Sequence, residues 1–276
     1  MVILLQCSDR VGLVADIAST MAIANLNIIS MKEYVNVEEN RFYIRLDVQG
    51  DTDLDYLQKQ LRSKLPPDTE ISIRFENVKK IAVLVTKEHH CLGDILLRHY
   101  FNTLGATVQC VIGNYNTLQP LADKFGIPFH YISHEEKEKH VFEQEIATVL
   151  SQYEFDYIIL AKFMRILSPE FISKYPAQII NIHHSFLPAF IGAHPYKQAY
   201  ERGVKLIGAT AHFVTNVLDE GPIIAQQTIS VNHAHSVKDM IRLGREIEKS
   251  VLANALQFVM QDRVLVYHNK TIVFEN

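Results

Sequence analysis

Over the first eighty residues, apolar positions follow the two-residue period of strands in some stretches and the helical period in others. Strands are predicted at four β-rich apolar runs, Val2 to Leu5, Leu26 to Val37, Arg41 to Val48 and Glu70 to Phe75. Helices are predicted from Leu13 to Ala24 and after Asp53, a residue that can cap the helix it precedes. The resulting order, βαββαβ, is that of a ferredoxin-like domain, which we place at residues 1–78.

From residue 81 onward the pattern becomes an alternation of strands and helices. Ile81 to Val85 is an uninterrupted apolar run, typical of a strand that is buried on both faces. Later strands are predicted at Thr107 to Ile112, Phe129 to Ile132, Tyr157 to Leu160, from Ile179 and at Val204 to Val214, and helices at Asp94 to Phe101, Leu118 to Phe125, Lys137 to Ser151, from Ser168 and at Val237 to Met260. The alternation predicts a mainly parallel, Rossmann-like α/β domain over residues 81–276, closed by a hairpin around His268. Its site is expected at the carboxyl ends of the strands.

Composition narrows the class of protein and of partner. Acidic residues exceed basic ones by 31 to 27, a formal charge of −4, which gives no reason to expect a nucleic-acid surface. Cys7, Cys91 and Cys110 are odd in number and scattered, as expected of reduced thiols rather than a disulfide framework. No signal peptide is evident, and no run approaches the ~20 apolar residues that span a bilayer. We therefore expect a soluble, cytoplasmic protein without a membrane or nucleic-acid partner.

The loop after the strand at Ile81 to Val85 does not resemble a phosphate-binding loop. Over Thr86 to Gly93 it contains a single glycine, two histidines and an acid, whereas a phosphate nest needs glycines for close backbone approach. Three consecutive side chains, His89, His90 and Cys91, do not easily converge on one tetrahedral ion, so no metal is expected. We expect these residues to shape and partly block the mouth of the cleft.

Candidate chemistry lies between Ile179 and Gln226. Asn181 and His183 alternate at a strand end, which places an amide donor beside an imidazole, an arrangement suited to a developing oxyanion. Asp219 precedes Gly221-Pro222, and a carboxylate held against an apolar strand can have a raised pKa and act as a base. A structural histidine and a turn-capping aspartate are the alternatives. The sequence has no Gly-x-Ser-x-Gly elbow and no His-Glu-x-x-His motif, which leaves carbonyl transfer or hydrolysis without metal or covalent intermediate.

Two stretches of the chain resemble known families. CSDRVGLVADIA followed by NLNIIS resembles the start of an ACT domain, a module that binds small effectors, usually amino acids. This resemblance implies an effector such as glycine or methionine near Asp9, Arg10, Gly12 and Asn27, and a homo-oligomer. NIHHSFLPAF with GATAHFV and LDEGPIIAQ resembles the folate-dependent formyltransferase superfamily, which implies Asn181, His183 and Asp219 as the catalytic residues.

The same resemblance assigns further residues and a reaction. It implies folate contacts by Met164, Arg165, Ile166, Leu167, Val217 and Leu218, and we expect His212 to orient Asp219 or its water. An ACT domain joined to this catalytic domain is the arrangement of the formyltetrahydrofolate deformylase family. That family resemblance implies hydrolysis of 10-formyltetrahydrofolate to formate and tetrahydrofolate, supplying formate for purine biosynthesis and balancing one-carbon folate pools, with no cofactor. The glycine-poor loop favours water over a phosphorylated acceptor. Formyl transfer to an amine and a folate or amino-acid sensing module are the alternatives.

Overall fold

The computed structural model describes residues 1–75, 77–189 and 195–275 and divides into two compact units. The first comprises Met1–Asn77 together with Asp262–Leu265 and the residues from Ile272 onward, and the second comprises Val78–Gln261 with Val266–Thr271. The sequence suggested limits of 1–78 and 81–276 and did not foresee that two C-terminal segments group with the first unit. One reason for this grouping is that Arg45, almost fully buried, donates from Nε to the carbonyl oxygen of Asp262 at 2.9 Å.

The first unit has the predicted ferredoxin-like order. It contains β1 (Val2–Ser8), α1 (Leu13–Ile23), β2 (Asn27–Asn36), β3 (Arg41–Gln49), α2 (Leu54–Lys64) and β4 (Glu70–Arg74). In the part of this unit that the structure describes, these strands form an antiparallel sheet in the order β2-β3-β1-β4. Alternate residues of β1 and β3 pack with Ile17 of α1 and Leu57 of α2 in one apolar core. The Asp53 side chain caps α2 by accepting from two backbone amides, as predicted.

The second unit is a sheet covered by helices. It contains β5 (Lys79–Val85), α3 (His90–Tyr100), β6 (Ala106–Gly113), α4 (Gln119–Lys124), β7 (Phe129–Tyr131), α5 (Lys139–Leu150), β8 (Tyr157–Leu160), α6 (Pro169–Ser173), β9 (Ile179–His183), α7 (Pro195–Arg202), β10 (Leu206–Phe213), β11 (Ile223–Ser230) and α8 (Val237–Met260). A hairpin of β12 (Val264–Tyr267) and β13 (Lys270–Val273) follows. No helix within the described residues is both long enough and apolar enough to cross a bilayer.

The sheet of the second unit is mostly parallel, as predicted. Its described strands follow the order β11-β10-β9-β8-β5-β6-β7, and the pairs from β9 through β7 are parallel. The remaining two strands, β10 and β11, run antiparallel to their neighbours. This antiparallel edge places His212 of β10 directly opposite Asn181 of β9. The pairing therefore brings together two polar residues that are well separated along the chain.

Helix α3 begins at His90, four residues before the predicted start at Asp94. The loop after β5 is therefore shorter than predicted, and His90 and Cys91 belong to the buried face of the helix. The wrong boundary has a physical reason: His90 is polar but obtains a buried partner far along the chain, and a local pattern does not contain that partner. Cys7, Cys91 and Cys110 are all free, in agreement with the prediction of reduced thiols, and all three are buried.

Candidate active site

The residues implied by the family resemblance meet at one cavity of about 830 Å³ in the second unit. Its lining includes the three candidate catalytic residues, Asn181, His183 and Asp219, and their neighbour His212. It also includes all six residues expected to contact folate, which are Met164, Arg165, Ile166, Leu167, Val217 and Leu218. Phe190, the last residue of the NIHHSFLPAF motif, lies outside the described residues. The volume is in the range of a pocket for a drug-sized ligand.

Two loops supply an apolar wall to this cavity, which we define as Met164–Leu167 and Val214–Leu218. The side chains of Met164, Ile166, Val217 and Leu218 are each more than half exposed, although they are large and apolar. The first loop is fixed where the Met164 backbone amide donates to Thr86 Oγ1 at 2.9 Å, just beyond β5. Exposed apolar side chains grouped around a concave surface are typical of a ligand-binding slot for a flat ring system.

His183 and Asp219 come together across the cavity. Asp219 Oδ1 lies 3.3 Å from His183 Nδ1, an arrangement that favours a proton on Nδ1. The other ring nitrogen, Nε2, is buried and has no hydrogen-bond partner among the described residues. A buried polar atom without a partner is costly unless a ligand or water satisfies it. Because His183 lines the cavity, Nε2 is the atom of this ring that is available to a bound substrate.

His212 contacts Asn181 more closely than it contacts Asp219, and this contact with Asn181 was not predicted. Its Nδ1 donates to the Phe213 carbonyl oxygen at 2.9 Å, so Nε2 of the neutral ring is an acceptor. Asn181 Nδ2 donates to this Nε2 at 3.2 Å, whereas Asp219 Oδ1 is 3.9 Å away. Burial is the main cause that lowers the pKa of His212, which keeps the ring neutral and able to accept. This contact uses one of the two amide protons of Asn181, and within the described part of the chain the second is available to a ligand.

The pKa of Asp219 is lowered, which corrects the prediction of a raised value. Burial is the largest single influence and would raise the pKa of this carboxyl, but the contact with His183 and the nearby imidazoles of His212 and His184 outweigh it. The sequence indicated the burial but gave no measure of the surrounding donors. Asp219 is therefore an ionised carboxylate at neutral pH.

Backbone geometry fixes the position of Asp219. Its φ of 57° lies in the left-handed region, which aspartate tolerates better than most residues. Two residues later, a Cβ on Gly221 would lie 1.7 Å from the Phe213 carbonyl oxygen, so only glycine fits where the loop returns beside β10. The Phe213 amide donates to the Pro222 carbonyl oxygen at 2.9 Å and closes this turn. The Asp-x-Gly-Pro sequence thus holds the carboxylate against the sheet.

A buried polar cluster beside the cavity was not predicted, and it consists of His90, Lys162, Tyr196 and Glu248. Glu248 accepts from His90 Nε2 at 2.7 Å and from the Tyr196 hydroxyl at 2.6 Å, and Lys162 Nζ lies 3.2 Å from the same carboxylate. Burial would raise the pKa of Glu248, but these donors outweigh it and lower the pKa to about 2. Glu248 lies on the buried face of α8 between apolar residues. That placement was the one feature of the sequence that could have indicated a buried polar cluster.

Tyr196 reaches Glu248 across a glycine. A Cβ on Gly244 would lie 2.1 Å from the Tyr196 hydroxyl, so the absence of a side chain there admits the ring. Glycine inside a helix costs roughly 1 kcal/mol relative to alanine, and this contact gives a reason for it in α8. Three members of the cluster, Lys162, Tyr196 and Glu248, line the cavity, whereas His89, His90 and Cys91 do not. The expectation that the last three residues block its mouth is therefore wrong.

Ligand atoms of His90, Cys91 and Glu248 lie within 4.8 Å of one another, the spacing of a possible metal site. The donors of the cluster already occupy the Glu248 carboxylate, and the Lys162 ammonium lies 3.2 Å from one of its oxygens. Burial raises the pKa of the Cys91 thiol well above its usual value, which disfavours the thiolate that binds metals. The local chemistry therefore suits an internal cation, the lysine, better than a metal ion.

The four residues suggested for effector binding lie in the first unit. Gly12 has a φ of 91° and immediately precedes α1, as a tight loop after β1 requires. Arg10 donates to Asp16 Oδ2 and to the Lys64 carbonyl oxygen, each at 2.6 Å, so internal contacts hold its guanidinium. Asn27 is exposed at the start of β2. Across the described residues, no hydrogen bond or ion pair joins any two of the four, Asp9, Arg10, Gly12 and Asn27.

Comparisons with known proteins identify the family independently of the site. A family model described as Formyl transferase matches residues 79–256, and one described as ACT domain matches residues 1–65. A protein from Haemophilus influenzae named formyltetrahydrofolate deformylase is 46% identical over 272 residues, which cover 99% of this chain and 98% of that protein. A crystal structure of a formyltetrahydrofolate deformylase from Pseudomonas syringae has a TM-score of 0.92 at 37% identity, covering 99% of this chain and 94% of that one.

A second class of protein shares the fold of the second unit. Glycinamide ribonucleotide transformylase 1 from Symbiobacterium toebii has a TM-score of 0.69 at 28% identity and covers 72% of this chain and 95% of its own. The similarity to the deformylases is greater and covers nearly the full length of both chains. This protein therefore belongs to the formyltetrahydrofolate deformylase family.

Proposed function

We propose that this protein hydrolyses 10-formyltetrahydrofolate to formate and tetrahydrofolate. The observation that carries the proposal is the convergence of Asn181, His183 and Asp219 on one cavity with an apolar wall, in a chain 46% identical to a deformylase. The pterin and benzoyl rings would lie along the apolar wall, in contact with Met164 to Leu167 and with Val217 and Leu218. This orientation brings the N10-formyl group to the catalytic residues.

The proposed chemistry uses each catalytic residue once. Asp219, ionised because its pKa is lowered, accepts a hydrogen bond from a water molecule and takes its proton as the oxygen attacks the formyl carbon. The second amide proton of Asn181 stabilises the oxyanion that forms, together with Nε2–H of a His183 ring that is protonated on both nitrogens, with Nδ1–H facing Asp219. Transfer of a proton to N10 then breaks the C–N10 bond, which releases formate and tetrahydrofolate. No cofactor or metal enters this scheme.

Asp219→Asn tests the central role of the carboxylate. Asparagine is nearly the same size and tolerates the left-handed backbone, so the fold should be unchanged, whereas the base is removed. We expect kcat to fall by at least about 10²-fold with little change in folate binding, because base catalysis typically contributes 10²–10⁴-fold. Turnover is measured as formate release and binding by folate fluorescence. Near-normal hydrolysis by the variant would disprove the assignment.

Formate release from 10-formyltetrahydrofolate in the absence of any amine tests the function as a whole. Hydrolysis predicts stoichiometric formate and tetrahydrofolate with purified protein and substrate alone. The alternative, a formyltransferase, would give neither product until an acceptor amine is added. The matched control is Lys174→Ala, which changes an exposed residue outside the cavity. Absence of formate with both proteins would refute the proposal.

We also propose an effector, an oligomeric state and a cellular location, each of which the family resemblance implies. An amino-acid effector such as glycine or methionine would bind the ACT domain, which the match to residues 1–65 supports. Pairing of ACT domains would give a homo-oligomer, and the cytoplasm would be the site of action. Calorimetric titration with glycine and with methionine tests the effector, and no heat with either would contradict it.

A further inference from the structure

Relatives with this fold include a transformylase, so the fold alone does not decide which nucleophile takes the formyl group. The catalytic residues do not decide it either, because a carboxylate base and an oxyanion site serve an attacking amine as well as water. The difference must lie in what can approach the formyl carbon. The proposed mechanism leaves several residues of the cavity lining unused, among them Lys162, Tyr196 and Glu248 of the buried polar cluster, and Lys162 is the cation of these three.

Lys162 lies just beyond the carboxyl end of β8, which is the parallel neighbour of β9. It follows Leu160, the last residue of β8, by two residues, and it lines the cavity together with Asn181 and His183. Its backbone has a φ of 61°, a conformation that a lysine adopts at some cost. A strained, charged residue in the lining of the cavity indicates a functional constraint.

The side chain of Lys162 is held where it lies. It is only 4% exposed, and its Nζ is 3.2 Å from the Glu248 carboxylate and 3.9 Å from that of Glu88. A buried ammonium that left these carboxylates would be an unpaired charge of low solvation, so the side chain has little freedom to move aside. His90 and Tyr196 fix Glu248 in turn. The four-carbon stem of Lys162 thus permanently occupies space in the cavity wall.

This placement matters more for an amine than for water. A primary amine carries a carbon substituent on its nitrogen and needs more room beside the formyl carbon than a water molecule does. The Lys162 ammonium is paired with the Glu248 carboxylate and lies near that of Glu88, so its side chain acts on an approaching nucleophile through its volume rather than through a net charge.

We propose that Lys162 is a specificity-determining residue that excludes amine nucleophiles from the formyl carbon and so leaves water as the only nucleophile. The inference rests on the proposed function. When the lysine side chain is removed, a primary amine should attack the formyl carbon through its nitrogen lone pair. The C–N10 bond then breaks, the amine nitrogen loses a proton to Asp219, and N10 gains a proton. The products are a formamide and tetrahydrofolate, with no further reactant.

The test measures how the formyl group is divided between water and an amine. Lys162→Gly removes the side chain and suits the left-handed backbone. With a ¹³C-formyl substrate and glycinamide as the amine, NMR distinguishes formate from N-formylglycinamide. We expect the unsubstituted enzyme to give formate alone at every glycinamide concentration. The variant should give a share of N-formylglycinamide that rises with glycinamide concentration and reaches at least about ten times the detection limit, alongside continued formate release.

Tyr196→Phe is the matched control, because it removes one donor to Glu248 but retains the ring and Lys162. It should give formate alone. Formate alone from Lys162→Gly at saturating glycinamide, or transfer by both variants, would overturn the proposal. If Lys162→Gly is unfolded or inactive, Lys162→Asn, also short and compatible with the backbone, replaces it, and loss of fold or hydrolysis in both would assign Lys162 another role. Formate release by the unsubstituted enzyme without amine tests the proposed function separately.

Discussion

At the scale of single residues, the ionisation of Asp219 constrains how the reaction proceeds. Its lowered pKa means that the carboxylate form persists until the pH falls below the ordinary value of 3.8. A more acidic carboxyl is also a weaker base, so it does not remove a proton from water in advance. The proton moves to Asp219 as the carbon–oxygen bond forms, when the attacking water itself becomes acidic. The groups that stabilise the oxyanion are therefore required in the same step.

This coupling gives His212 a measurable role as a positioning residue. His212→Ala removes the acceptor that holds the Asn181 amide at 3.2 Å, so the second amide proton is no longer directed at the oxyanion. We expect kcat to fall about 10- to 100-fold with little change in KM, because the loss affects the transition state rather than folate binding. Steady-state formate release measures both parameters.

The control for this prediction is a double-mutant cycle with Asn181→Ala. If His212 acts through Asn181, the substitution of His212 should add almost nothing once the amide is gone. A merely structural role would instead lower kcat by the same factor in both backgrounds. Independent, additive losses would contradict the positioning role.

At the scale of elements, sequence patterns located the catalytic residues because each lies in a contiguous motif. Asn181 and His183 end a strand, and Asp219 precedes a glycine-proline turn, so local periodicity and turn chemistry are sufficient to find them. Most strands and helices of both units were predicted for the same reason, whereas α7 and β11 were not predicted. Local patterns also predicted α8 with the limits that the structure shows.

The buried polar cluster was not predictable from local patterns. His90 and Glu248 are 158 residues apart in the chain, and Tyr196 and Glu248 are 52 apart, so their pairing exists only once the sheet has formed. A histidine whose buried partner is unknown is typical of a loop. For this reason the start of α3 was predicted at Asp94, four residues too late. The contact between His212 and Asn181 was not predicted for a similar reason, because the two residues pair across neighbouring strands.

The turn that follows Asp219 provides a test at this scale. Gly221→Ala would place a Cβ 1.7 Å from the Phe213 carbonyl oxygen, so the backbone of the turn must move. We expect the free energy of unfolding to fall by about 3 kcal/mol, as in overpacked sites. We also expect kcat to fall on the order of 10²-fold, because the carboxylate moves with the turn. Urea unfolding and formate release provide the two measurements.

Gly93→Ala is the matched control, since the same change of residue meets no atom within 4 Å there. Gly93 lies inside α3, where alanine is favoured over glycine by up to about 1 kcal/mol. The control should therefore be slightly more stable than the unsubstituted protein and equally active. If Gly221→Ala behaved like Gly93→Ala, the proposed tight contact at Phe213 would be absent.

At the scale of the whole molecule, buried titratable groups set the response of stability to acid. Burial, followed by the Lys162 ammonium and His183, lowers the pKa of His184 to about 4 from 6.5, so the folded state favours the neutral ring. The donors around Glu248 outweigh burial and lower its pKa to about 2 from 4.5, so the folded state favours the carboxylate. The folded state therefore binds protons less readily than the unfolded chain at both positions, and acid favours unfolding.

These two shifts act over different ranges of pH, which makes the contribution of His184 separable. Its stabilising effect is complete above pH 6.5 and is lost progressively down to about 4, whereas that of Glu248 is complete above 4.5 and is lost towards 2. Between pH 7 and 5, the unsubstituted protein should therefore lose about 2 kcal/mol of unfolding free energy through His184. His184→Gln, which does not titrate, should lose that much less over the same interval in urea unfolding. Equal losses in the two proteins would show that the folded state does not hold His184 neutral.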